Sequence, residues 1–127
     1  MAIRNELQTV LDRYTAAYRQ ADAEGCAEAF TNDGEMRSPY GPPALGRTAI
    51  AETHRIWTGG GSDNKRLDVM QAGSSGDLAW CLAAYSEGTE TGTGTSLMVF
   101  ERQTGGGWLI RSCSLNETLP APDKTLG

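Results

Sequence analysis

Residues 66–115 are patterned as strand after strand. The segments 66–72, 78–87, 95–102 and 108–115 are strand-length and rich in apolar and β-branched residues. Between them lie Gly73-Ser74-Ser75-Gly76-Asp77, the Gly/Thr-rich stretch 88–94 and Thr104-Gly105-Gly106-Gly107, all turn-formers. Runs joined by so few residues pair as hairpins, because a parallel connection needs a crossover of about a dozen residues. The second half is therefore an antiparallel, twisted sheet.

The first half carries a different period. Ile3, Leu7, Val10, Leu11, Tyr14 and Tyr18 recur at spacings of three and four, one face of a helix over residues 3–21. Arg4, Gln8, Asp12, Arg13 and Arg19 occupy its solvent side. Asp22 is placed to cap a short second helix over residues 23–30, which Thr31-Asn32-Asp33-Gly34 stops. A short strand over 35–40 follows, then Gly41-Pro42-Pro43 as a turn, since proline has no N–H for a ladder. Gly46-Arg47-Thr48 leads into a third helix ending near Trp57, with Ile50, Thr53, His54 and Trp57 on its inner stripe. Residues 59–64 read as a flexible loop.

Helices followed by a meander make an α+β design. A chain of 127 residues suits one domain with one core, here residues 1–119, and a mobile tail at 120–127. The helices cover one face of the sheet. The run Leu78-Ala79-Trp80-Cys81-Leu82-Ala83-Ala84-Tyr85 is apolar on both parities, so the other face also calls for a cover. A second copy of the chain supplies it, and a homodimer packed sheet to sheet is expected.

Composition narrows the function classes. A hydrophobic content of 39% fits neither a disordered nor a membrane chain, and the apolar runs are too short to span a bilayer. The start MAIRNELQ has no apolar signal region, which makes a cytoplasmic location the default expectation. A net charge of −5 with scattered basic residues argues against nucleic acid. The adjacent pair Lys65-Arg66 reads as a solvated loop. Cys26, Cys81 and Cys113 are odd in number and lack a CxxC, so neither a disulfide framework nor a zinc site is expected. Cys81 and Cys113 read as small core residues. Gly92-Thr93-Gly94 joins two strands and opens no helix, which makes it a turn rather than a phosphate loop. No cofactor is expected.

Several short stretches then fall into a familiar order: Leu11-Asp12-Arg13-Tyr14-Thr15-Ala16-Ala17-Tyr18, Ala21-Asp22, Ala29-Phe30-Thr31-Asn32-Asp33-Gly34, Ser38-Pro39-Tyr40-Gly41, Gly46-Arg47-Thr48-Ala49-Ile50 and Gly107-Trp108-Leu109-Ile110-Arg111. Together they resemble the nuclear-transport-factor-2-like (NTF2-like) superfamily, in its SnoaL-like and ketosteroid-isomerase-like branch. The resemblance implies a bent sheet wrapped round helices, a cone with an apolar pocket at its open end, and a dimer. Such proteins include isomerases, cyclases, dehydratases, epoxide hydrolases and non-enzymatic binders, so the fold does not choose the function. Ketosteroid-isomerase chemistry needs a carboxylate base and an oxyanion hole made by a tyrosine and a protonated aspartate. Tyr14 matches the tyrosine. Ser38 stands at the base position before the turn, and Ser96 stands at the second acid's position, four residues before Phe100. Serine hydroxyls do not take up a proton at neutral pH, so that reaction is not expected.

The remaining polar candidates each have two readings. His54, the chain's one histidine, is suited to acid–base work near neutrality or is a packed, hydrogen-bonded core residue. Tyr14 is a pocket donor or a core aromatic. Asp68 lies between Leu67 and Val69 and faces away from both, which makes it a replacement base if its face lines the pocket and an exposed strand residue otherwise. Glu87 and Glu90 flank a turn and read as solvated. The family's acid position puts Ser96, Met98 and Phe100 inward, and the last strand's inward set is expected to be Trp108, Ile110, Ser112 and Ser114. For strand 78–87 the parity stays open, because one bulge reverses it. The expected function is binding of a small hydrophobic molecule in a pocket drawn from Tyr14, Tyr18, Ser38, His54, Trp57, Ser96, Met98, Trp108, Ser112 and Ser114. The alternatives are an isomerase, cyclase or hydrolase with His54 or Asp68 as base and Tyr14 as donor, and a protein-interaction module using the sheet.

Overall fold

The computed structural model describes residues 2–60, 63–87 and 93–118. The expected tail at 120–127, Glu90 and most of the turn 88–94 lie outside the described residues. Helix α1 (Ile3–Arg19) buries Leu7, Leu11, Tyr14, Thr15 and Tyr18, the face its period announces. Asp22 caps α2 (Ala23–Ala27), its carboxylate accepting from the Gly25 N–H at 3.0 Å. That helix stops before residue 30, because Phe30 already belongs to β1 (Phe30–Ser38) and pairs with Ile110. Gly41-Pro42-Pro43 is not the turn that its prolines suggest. It begins β2 (Gly41–Leu45), antiparallel to β1. This strand is at the sheet edge, where a missing N–H costs no ladder bond. Gly46 then takes φ +90°, a conformation glycine adopts without strain, and its N–H donates to the Gly34 carbonyl at 2.8 Å as α3 (Arg47–Thr58) begins.

The expected meander follows: β3 (Arg66–Ser75), β4 (Leu78–Ser86), β5 (Gly94–Arg102) and β6 (Trp108–Glu117). The sheet is curled and unclosed, with strand order β2-β1-β6-β5-β4-β3. All neighbours are antiparallel except β1 and β6. The helices fill its concave side. On β4 the buried parity is Ala79, Cys81, Ala83 and Tyr85, which leaves Trp80 on the outer face and settles the open question of that strand. Edge strand β3 is guarded by α1: Gln8 Oε1 accepts from the Val69 N–H at 2.8 Å, Gln8 Nε2 donates to the Leu67 carbonyl at 2.9 Å, and Arg4 donates to the Val69 carbonyl at 2.6 Å. Residues assigned to the solvent side of α1 thus satisfy a sheet edge that would otherwise invite pairing.

One bulge changes the lining. Phe100 pairs with Ile110 but Val99 pairs with Ser112, so Arg111 is the extra residue in β6. Trp108 and Ile110 face inward, and beyond the bulge Cys113 takes the buried parity. Ser112 and Ser114 are turned to the outer face opposite Val99 and Leu97, contrary to expectation. Arg111 forms ion pairs there with Glu101 at 3.2 Å and Glu35 at 3.7 Å. Among the described residues no helix is long and apolar enough to cross a membrane.

Candidate functional site

The deep end of the cone is packed solid. Tyr14 and His54 meet at its centre, with the Tyr14 hydroxyl 2.6 Å from His54 Nε2 and His54 Nδ1 2.7 Å from the Ile50 carbonyl. A carbonyl only accepts, so Nδ1 carries the proton and donates it. Nε2 is then a lone-pair acceptor, and Tyr14 donates to it. Phe30, Tyr18 and Trp57 ring this pair at centroid distances of 5.2 to 6.5 Å from the imidazole. Burial pushes the His54 pKa down to about 4, against the opposing pull of the Ile50 carbonyl, and burial likewise raises that of Tyr14. His54 is a neutral, fully buried residue with both ring nitrogens engaged. Behind it the lining of Tyr14, Phe30, Met36, Leu67, Met98 and Ser96 encloses about 20 Å³, room for a single water. Ser96 and Met98 face inward as expected, Ser96 with its Oγ 3.2 Å from Cys113 Sγ. The buried thiols of Cys26, Cys81 and Cys113 are pushed up to about 12, 12 and 11, which leaves them unreactive.

Space opens at the mouth. A cavity of about 280 Å³ is lined by Tyr18, Tyr40, Ile56, Trp57, Lys65, Glu87 and Leu115. Its chemical centre is a pair that the sequence reading placed in solvent. Lys65 is 2% exposed, and its Nζ lies 3.2 Å from Glu87 Oε1. The pair is a cross-strand pair, one residue past the Arg66–Ser86 rung of the β3–β4 ladder. The Tyr18 hydroxyl donates to the same Oε1 at 2.5 Å. The ammonium also lies 4.6 Å from the Tyr18 ring centroid and 5.1 Å from that of Tyr85, the geometry of cation–π contacts. Burial lowers the Lys65 pKa, and Glu87 partly restores it. Burial raises the pKa of Tyr18, and its hydrogen bond to Glu87 adds to the effect. Tyr40 and Tyr85 share a hydrogen bond of 2.7 Å, and Tyr40 packs edge-on against Trp57 at 6.1 Å.

The other candidates sit elsewhere. Ser38 is half-buried on the far side of Tyr40, in a groove with Pro42, Pro43 and Trp57, where its Oγ accepts from the Tyr40 N–H at 3.2 Å. Asp68 is exposed on the outer side of β3, its neighbours Leu67 and Val69 filling the inner side, so it faces no cavity. Trp108 is buried at the opposite end of the cone, under Arg102 and 3.3 Å from a Glu6 carboxylate oxygen. Of the expected pocket set, Tyr18 and Trp57 reach the mouth. The signal for Lys65 and Glu87 was present in the strand period: Lys65 shares parity with Leu67 and Val69, and Glu87 with Ala83 and Tyr85. Among the described residues no cluster of three or more His, Cys, Asp or Glu residues is placed to hold a metal ion.

No protein-family model matches the chain, and no curated protein matches it by sequence. Solved structures do match in three dimensions. A ketosteroid isomerase-like protein from Erwinia carotovora atroseptica SCRI1043 superposes with a TM-score of 0.76 at 18% identity, over 92% of this chain and 97% of that one. An NTF2-like protein with a cystatin-like fold from Novosphingobium aromaticivorans gives 0.68 at 23% identity, over 88% and 79%. ActVI-ORFA from Streptomyces coelicolor gives 0.64 at 20% identity, over 92% and 98%. The chain has the NTF2-like, cystatin-like fold that the sequence resemblance implies.

Proposed function

We propose that this chain binds a small, largely apolar molecule at the mouth of its cone. The supporting observation is the roughly 280 Å³ cavity, walled by Tyr18, Tyr40 and Trp57 around the buried Lys65–Glu87 pair. An aromatic wall with one convergent polar cluster is the composition of a ligand site. The volume suits a molecule of one or two rings. The deep cone holds about 20 Å³, too little for a steroid nucleus. An acid–base enzyme built on His54 has less support, since both its nitrogens are engaged behind the cavity. A thermal-shift screen of ring-containing apolar compounds tests the proposal. Stabilisation by two-ring compounds that is lost in Trp57→Ala is the expected result. Stabilisation by none of them, or stabilisation that Trp57→Ala leaves intact, rejects it.

We also infer that the partner is a second copy of the chain, seated on the outer sheet face. Trp80, Leu97 and Val99 are exposed there as one apolar patch across β4 and β5, with Leu82 beside them. Charged Glu35, Arg37 and Arg111 flank it. An apolar centre with a polar rim is the anatomy of a protein interface.

A further inference from the structure

Building on the mouth-binding reading, we propose that Lys65 is a nucleophilic amine that captures an aldehyde or ketone on the bound ligand as an imine. A lysine usually runs its stem along an apolar surface and leaves its ammonium in water. Here the whole residue is 2% exposed, it lines the mouth cavity, and its Nζ lies against the Tyr18 and Tyr85 rings. Among the described residues its carboxylate partner is Glu87, whose side chain is 33% exposed. Burial makes the neutral amine more accessible than in a surface lysine.

The groups present balance the chemistry. The Lys65 ammonium passes a proton to Glu87, 3.2 Å away. The freed lone pair attacks the carbonyl carbon, a C–N bond forms, and the carbonyl π pair moves to oxygen, which takes up the proton the nitrogen sheds. The carbinolamine then expels its hydroxyl, protonated by Glu87, as water while the C=N bond forms. The net change is ammonium plus carbonyl to protonated imine plus water, with Glu87 again a carboxylate. Tyr18, bonded to the same Oε1, holds that carboxylate toward Nζ.

The chain suits the test, because Lys65 and Lys124 are its lysines and Lys124 serves as an internal control. Purified protein is incubated with 2-naphthaldehyde and sodium cyanoborohydride, and the modified peptides are mapped by mass spectrometry. In parallel, calorimetry follows binding of naphthalen-2-ylmethanol, which has the same ring system and no carbonyl. The proposal expects alcohol binding together with a reduced adduct on Lys65 well ahead of Lys124 and the N-terminal amine. Glu87→Gln, assayed at saturating aldehyde so that a change in affinity drops out, slows Lys65 labelling by roughly a hundredfold, the lower end of what a positioned acid–base group contributes. Alcohol binding with labelling equal at Lys65 and Lys124, or absent from Lys65, overturns the imine and leaves the binding site standing. Absence of both overturns both. Lys65→Met, checked for folding by circular dichroism, loses the labelling. If its folding fails, the Glu87→Gln rate decides, and an unchanged rate removes the assigned role of Glu87.

Discussion

The Tyr14 hydroxyl donates to His54 Nε2 over 2.6 Å at the centre of the cone, forty residues away in sequence. The bond joins α1 to α3 and fixes the tautomer of a histidine whose Nδ1–H is spent on the Ile50 carbonyl. Both residues drew attention as acid–base candidates. In the folded chain each satisfies the other, and neither lines the mouth cavity. Their geometry is that of a buried polar tie in an aromatic cluster.

Tyr14→Phe removes the donor and leaves a buried imidazole acceptor unpaired. The expected cost is about 1–3 kcal/mol, read as a lower denaturation midpoint in urea with an unchanged slope. Ligand affinity at the mouth stays within a factor of about two, a change small on the scale of binding free energies. A stable Tyr14→Phe that loses ligand binding contradicts the structural role given to Tyr14.

Stability also depends on pH through His54. Its folded pKa of about 4 lies below the ordinary 6.5, so between those values the unfolded chain binds a proton that the folded chain refuses. The contribution is fully present above pH 6.5 and is lost as pH falls toward 4. The shift is worth about 3 kcal/mol as an upper bound. Carboxylates titrate in the same window, so the comparison is with His54→Gln. Urea midpoints measured from pH 7 to 4 are expected to fall less steeply in the variant. Parallel curves exclude His54 as the source.

Much of this architecture was legible because hydrophobic period and turn chemistry agree locally. The stripe of α1, the Asp22 cap and the β3–β6 meander all follow from spacing. The failures have specific causes. Pro42 and Pro43 suggest a turn, because the edge position that tolerates them is a tertiary fact. Strict alternation puts Ser112 and Ser114 inward, because no residue type marks the extra Arg111. The charge of Lys65 suggests a solvated loop, although its parity with Leu67 and Val69 points inward. Period outranks charge type there, and it marks the centre of the candidate site.

Gly94 is a position where the sheet leaves no room for a side chain. A Cβ built there runs into the Asn116 carbonyl oxygen and lies 2.9 Å from the Tyr85 hydroxyl. The first contact is with backbone, which cannot swing aside as a side chain can. Gly94→Ala is expected to cost roughly 1–3 kcal/mol, the range of a steric insult in a packed element. Amide exchange would speed up first at the Gly94–Glu117 end of the β5–β6 ladder. Unchanged exchange at that end contradicts the close approach.

Leu97 pairs with Leu82 and Trp80 pairs with Val99, so four apolar side chains form one patch across β4 and β5. Trp80 lies over Gly73, where an added Cβ would come within 2.5 Å of the indole nitrogen, so the ring needs the room that glycine leaves. An apolar patch of this kind can meet its own copy about a twofold axis. The axis also repeats any substitution, so one new charge enters the interface twice. Wild-type chain is expected to scatter light as a dimer at micromolar concentration, and Leu97→Glu as a monomer. The loss per copy should be about 2 kcal/mol or more, the scale of a central interface residue. Circular dichroism of Leu97→Glu should match wild type, because Leu97 is 48% exposed in the single chain and the core does not depend on it. A wild-type monomer at that concentration removes the dimer, and a Leu97→Glu dimer moves the interface off this face.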